Sequence, residues 1–204
     1  MGKELEINDY RDFAEKHSID PLYLMAVAEV ESAGSGFLPD GRPKILFEGH
    51  IFWRRLKVHG VDLKKHVNGN TDILYPKWTR KHYEGGAAEH DRLERAARIH
   101  EQAAYESASW GKFQVMGYHA KRLGYMDALD MAGYMHKSEV EHLEAFIRYC
   151  HRANLIDELQ RQDSAGFAYG YNGPGYARNR YDEKIDKAYK RLKRRYGNEL
   201  LVSN

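Results

Sequence analysis

The chain has one cysteine, Cys150, in 204 residues, so neither an intramolecular disulfide framework nor a Cys-rich metal site can form. Folding in a reducing compartment is the expectation. It has five prolines, and no linker, internal repeat or low-complexity tract interrupts it, which points to a single domain over residues 1–204. No apolar run reaches the roughly 18 residues of a membrane span, and "MGKELEINDYRDF" lacks the apolar core of a signal peptide. An excess of one charge is missing as well. Lys and Arg number 32 against 30 Asp and Glu, a formal net charge of +2, too small to name a partner. With 42% hydrophobic and 30% charged residues the composition excludes a disordered chain and allows a sizeable core.

What is present is mostly helical. "NDYRDFAEKHSI" is amphipathic, and Asp20-Pro21 supplies an N-cap and a first-turn proline for a helix through "LYLMAVAEVESA" that stops near Gly34. "PDGR" reads as a turn, and "PKILFEGHIF" as a short strand entering a helix that runs to about Val58. This is the one good strand signal, so a small β-hairpin is the most the pattern supports. Residues 63–86 show only an irregular polar segment with aromatic anchors. Helical signals then resume in "AAEHDRLERAARIHEQAAYESA", "WGKFQVMGYHAKRLG", "MDALDMAGYM", "KSEVEHLEAFIRYCHRAN" with a Ser138/Glu141 capping box, "SAGFAYGYN" and "YDEKIDKAYKRLKRRY". The fold class expected is mostly α, formally α+β, with that hairpin.

The helix over 22–31 is apolar nearly all round, which marks a central helix, yet it carries Glu29 and Glu31 on different faces. An ionised carboxylate buried without a partner costs several kcal/mol, so each glutamate must be paired, reach solvent or keep its proton. A carboxyl group that keeps its proton near neutral pH is suited to protonate a glycosidic leaving oxygen. The plainer alternative is an ion pair at the helix edge. Periodicity does not choose between the two, although Glu31 lies in the last turn beside the glycines of "SAGSGF".

Two more stretches bear on the choice, "ASWGKFQVMGYH" at 108–119 and "YGYNGPGY" at 169–176. Together with "VES" at 30–32 they resemble, in order and residue type, the three motifs of the goose-type lysozyme and lytic transglycosylase superfamily. The wider context, "GFLPDGRPKILFEGHIFWR" and "SWGKFQVMG", resembles more closely the N-acetylmuramidase domain of phage endolysins, over roughly residues 8–197. The resemblance implies a lysozyme-like domain that cleaves the β-1,4 bond between N-acetylmuramic acid and N-acetylglucosamine in peptidoglycan. It makes Glu31 the catalytic acid, with Ser32 fixing the helix end. Ser109 belongs to the second motif, whose Gln114 and Met116 would line the sugar cleft. Tyr171 and Asn172 would sit near the acid, Tyr171 able to orient its carboxyl group. The chain departs from the transglycosylases in placing about 75 residues between the first two motifs, in Lys112 at an apolar position, and in a shortened "YNGPG". A carboxylate that holds the attacking water would come from this insertion. Glu48 in "ILFEGH" is the first candidate and Asp40 in "PDGR" the second, although Asp40 also suits the turn. An inverting pair would stand about 6.5–9.5 Å apart. Hydrolysis is the expected outcome and lytic transglycosylation the alternative.

Eleven histidines form no His-Glu-x-x-His, and "HKSEVEHLE" gives only an i, i+3 pair, so no metal or other cofactor is expected. "GSG" lacks the strand that a phosphate loop follows, and Cys150 falls on an apolar stripe, as a buried structural thiol does. The basic stretch "KAYKRLKRRYG" reads as a solvated cationic helix face that could also contact anionic wall polymer or outer-membrane lipid. The rival from another class is therefore a non-catalytic cationic binding module. Nucleic acid is not expected as a partner, and a monomer is. Three Trp and fifteen Tyr suit a saccharide cleft, but Trp53, Trp78 and Trp110 cannot be told apart. As an endolysin the chain would be made in the host cytoplasm and reach the wall through a separate pore.

Overall fold

The computed structural model describes residues 4–32 and 34–200; Met1–Lys3, where the search for an export signal begins, lie outside the described residues. The chain forms two compact units, one of residues 36–142 and one that joins 4–35 to the segment from 143 onward.

In the first unit, β1 (Ile45–Phe47) runs into α3 (Gly49–Val58), and α4 (Ala88–Glu106) leads to β2 (Ala108–Trp110) and β3 (Val115–Met116). The strands make an antiparallel sheet in the order β1-β2-β3, with Ile45 opposite Trp110, Phe47 opposite Ala108 and Ser109 opposite Met116. This exceeds the hairpin expected. The tight hairpin is β2–β3, in a stretch read as helical, while the "PDGR" turn closes only a single bridge between Phe37 and Pro43. Strands of two or three residues carry no periodicity; β2 becomes a strand because β1 pairs with it from more than 60 residues away. A second departure lies in α4, which is interrupted at His100 (φ −163°, ψ 104°). The His100 Nδ1 accepts the Ala103 N–H at 3.2 Å, restarting the helix as an N-cap would. A short helix, α5 (Ala128–Met135), follows behind an Asp127 cap. Phe47, Phe52, Leu56, Ile73, Trp110 and Met131 fill this unit's core.

The irregular segment 63–86 is held from inside by a buried ion pair. Glu89 accepts Arg92 Nη1 at 2.7 Å and the Phe47 N–H at 3.1 Å on one oxygen, and the Glu84 and Gly85 N–H groups at 2.8 and 3.1 Å on the other. Arg92 also donates to the Phe47 and Asp72 carbonyls at 3.0 and 2.9 Å. These bonds offset much of the pair's desolvation, although the buried Arg92 Nε has no hydrogen-bond partner.

In the second unit, α1 (Ile7–His17) packs on α2 (Pro21–Glu31). The boundary between units falls within α6 (Glu139–Arg152), and α7 (Ile156–Arg161), α8 (Ser164–Asn172), α9 (Tyr176–Asn179) and α10 (Tyr181–Leu200) complete the chain. The nearly apolar α2 is central, as its sequence requires, because α10 lies along it and presents Ile185, Ala188 and Leu192 as its buried stripe. Polar ties register the helices. The Tyr189 hydroxyl donates to Asp20 at 2.9 Å, and Ser164 spends its proton on Asp186 at 2.6 Å. Tyr23 is then the donor in its 2.9 Å bond to Ser164, a role that burial secures by raising its pKa to about 12.

Candidate active site

Asp20 caps α2 by accepting the Leu22 and Tyr23 N–H groups at 2.8 and 3.0 Å, so the helix starts where Asp-Pro puts it and ends, eleven residues on, at Glu31. Ser32 takes an extended conformation and Gly34 takes φ +76°. The two glutamates part company here. Glu29 is exposed and pairs with Arg191 of α10. Glu31 is largely enclosed, and burial pushes its pKa up to about 7, opposed only in part by an Asn172 hydrogen bond and the charge of Lys184.

Asn172 is the last residue of α8, where Gly173 (φ +77°) ends the helix. Its Nδ2 donates to Glu31 Oε1 at 3.0 Å. The other oxygen is left to carry the proton. Tyr171 is wedged among Phe146, Phe167 and Tyr149. Burial raises its hydroxyl well above the usual tyrosine range, and the charges of Cys150 and Glu31 add to this. Asn172 thus supplies one hydrogen bond that orients Glu31. Cys150 is buried, as its stripe position predicts, and burial raises its thiol too.

In the first unit, Ser109, Gln114 and Met116 shape the β2–β3 hairpin. Ser109 Oγ donates to Gln114 Oε1 at 2.7 Å, and Gln114 Nε2 donates to the Gly111 carbonyl at 2.8 Å. The Gln114 amide is therefore a clasp across the turn, with Gln114 itself at φ +51°. Met116 is half-buried at the end of β3. Gly111 sits at φ +70°, and a Cβ there would come within 2.7 Å of the His142 ring. Lys112, which breaks the transglycosylase pattern, donates its N–H to His142 Nδ1 at 3.1 Å and sets its Nζ 3.2 Å from Glu139, a carboxylate only 2% exposed. The departure has a local cause: a cation is needed beside that acid.

Glu48 is the N-cap residue of α3, yet its carboxylate does not cap the helix. Instead it accepts the Tyr83 hydroxyl at 2.6 Å, and His50 Nδ1 lies 3.2 Å from the same oxygen. Burial, more than any nearby charge, holds His50 below the usual histidine range. Asp40 is used differently. It accepts the Arg42 N–H at 3.0 Å and Arg42 Nε at 2.9 Å within the turn, and this bonding keeps its carboxyl below the usual range. Lys184, Tyr83 and His50 were not anticipated. Lys184 stands next to the buried stripe of α10, a position its helical period does reveal, whereas Tyr83 reaches Glu48 from a segment with no period at all. Among the described residues no group of three or more His, Cys, Asp or Glu side chains could hold a metal.

A sequence profile of the N-acetylmuramidases, described as "Muramidase", matches residues 20–193. The chain belongs to the N-acetylmuramidase family. A Burkholderia AP3 phage endolysin of known crystal structure is 40% identical to this muramidase, superposes with a TM-score of 0.87, and the match covers 94% of this chain and 73% of that one. No curated protein matches. The expected fold class and glycoside hydrolase activity are borne out: this is a mostly α, lysozyme-like muramidase that acts on peptidoglycan.

Proposed function

We propose that the muramidase hydrolyses the β-1,4 bond between N-acetylmuramic acid and N-acetylglucosamine with Glu31 as its general acid. The observation that carries this is the Glu31 carboxyl itself, held by burial at a pKa of about 7 with Asn172 donating to one of its oxygens. Protonated at neutral pH, it gives its proton to the glycosidic oxygen as the C1–O bond breaks. A water adds to C1 and loses its proton to a carboxylate, for which Glu48 is the candidate, leaving a new reducing end. The Tyr83 hydrogen bond supports Glu48, because it holds a carboxylate that has no structural duty in capping α3. In this reading Gln114 and Met116 line the sugar cleft with Ser109, Ser32 fixes the helix end, Tyr171 and Asn172 sit beside the acid, and Asp40 is the second candidate for the water-holding carboxylate.

The likeness to a phage endolysin supports a role in host lysis, with synthesis in the host cytoplasm, release through a separate pore and action as a monomer. No helix among the described residues is long and apolar enough to cross a membrane. The profile match runs through segments of both units, which supports one catalytic domain over the whole chain. The exposed cations of α10 support a secondary contact with anionic wall polymer or outer-membrane lipid.

The test is mass analysis of fragments released from purified peptidoglycan. Wild type is expected to give reducing ends, Glu31→Gln at least roughly a thousandfold less product, and Glu48→Gln an intermediate loss. Products ending in 1,6-anhydro sugars would replace hydrolysis by transglycosylation, and an active Glu31→Gln would remove the acid from the scheme.

A further inference from the structure

The segment 63–86, mute in sequence, carries an exposed tryptophan. Trp78 is 61% exposed, whereas Trp110 is 1% exposed and Trp53 half-buried. An exposed indole costs solubility and, taken singly, means little. This one lies close to a partner of Glu48. The Trp78 side chain is within reach of Tyr83, whose hydroxyl donates to Glu48 Oε2 at 2.6 Å, and most of the indole is left to solvent.

The segment that holds Trp78 is anchored on both sides. Asp72 pairs with Arg95 through both oxygens, at 2.6 and 2.9 Å, and the far end is pinned by Glu89 at Glu84 and Gly85. Behind it, the approach of Tyr75 to α3 is so close that a Cβ on Gly49 would lie 2.4 Å from the ring. A rigidly supported aromatic face beside a carboxylate matches one ligand chemistry: a pyranose ring, whose axial C–H groups pack on the indole while its hydroxyls and N-acetyl groups meet polar neighbours.

We infer that Trp78 is a saccharide-stacking subsite of the first unit, and that Tyr83 couples it to Glu48 as a positioning residue. This rests on the muramidase reading in that the ligand is the glycan strand. Trp78 contributes to binding; Tyr83 sets the orientation of the carboxylate once the strand is bound.

The experiment is calorimetric titration of a peptide-free GlcNAc–MurNAc tetrasaccharide into Glu31→Gln and into Glu31→Gln carrying Trp78→Ala or Trp78→Phe. Trp78→Ala is expected to weaken Kd about tenfold and Trp78→Phe less than threefold, with unchanged thermal midpoints because the ring is exposed. In the active enzyme, Trp78→Ala should act on KM, and Tyr83→Phe should lower kcat about tenfold with KM within threefold. An unaltered Kd in Trp78→Ala overturns the subsite, and an unaltered kcat in Tyr83→Phe overturns the positioning role. A failure of the hydrolytic scheme is scored separately, since the titration reads binding alone and Glu31→Gln reads chemistry.

Discussion

At the scale of single residues, the ionisation of Glu31 has consequences for stability as well as catalysis. Its carboxyl ionises at about 7 in the folded protein against an ordinary value of 4.5. Between these values the folded state holds a proton that the unfolded state has released. Stability therefore falls as pH rises from about 4.5 to about 7 and is flat beyond, by at most roughly 3 kcal/mol. Glu31→Gln should accordingly be more stable than wild type at pH 8 and equal to it near pH 4, as thermal midpoints at the two pH values will report. With Glu31 as the proposed acid, kcat/KM should decline above about pH 7 as its carboxyl loses its proton. Lys184 favours the ionised form, so Lys184→Gln should move that decline to higher pH, an effect read from the pH–rate profile at low salt. Helical period alone left the choice between Glu29 and Glu31, and the resemblance of "VES" to the family's first motif pointed to Glu31. Exposure and the Arg191 pair on one side, burial and Asn172 on the other, separated them.

At the scale of elements, the long helices were legible and the short strands were not. The apolar periods of α2, α6 and α10 exceed a full turn several times over, so local pattern and tertiary burial agree. The β2–β3 hairpin has four loop residues, and its identity as a hairpin depends on Gly111 and on partners in β1 and α6. Gly111→Ala tests this dependence. The residue combines φ +70° with a Cβ position 2.7 Å from His142, so the substitution should cost about 2–4 kcal/mol in denaturant unfolding. By contrast Gly34, also at positive φ, has nothing within 4 Å of a Cβ and should lose no more than the conformational term. The same scale changes how the basic helix must be probed. Leu192 is buried and Arg191 holds Glu29, so removing the chain from 190 onward would strip the cover from α2. Loss of lysis in that truncation would report unfolding of the unit, not loss of a surface contact.

At the scale of the molecule, a formal charge of +2 steers nothing over distance; any attraction to anionic wall is local to α10. Replacing exposed Lys187, Lys190, Lys193, Arg194 and Arg195 with Gln leaves the buried stripe intact. It should preserve cleavage of soluble fragments while reducing, several-fold, both the rate on whole walls and its dependence on salt. The amino-acid sequence by itself determined the class: an α-rich chain with three ordered motifs, one thiol that cannot pair with another, and a central helix ending in an acid, because such features are written in local periodicity and spacing. The tertiary structure decided which carboxyl is buried, that Gln114 clasps a hairpin, and that Tyr83 donates to Glu48. Burial, and the hydrogen bonds that burial makes obligatory, join residues 35 to 141 positions apart, and no local pattern records that pairing.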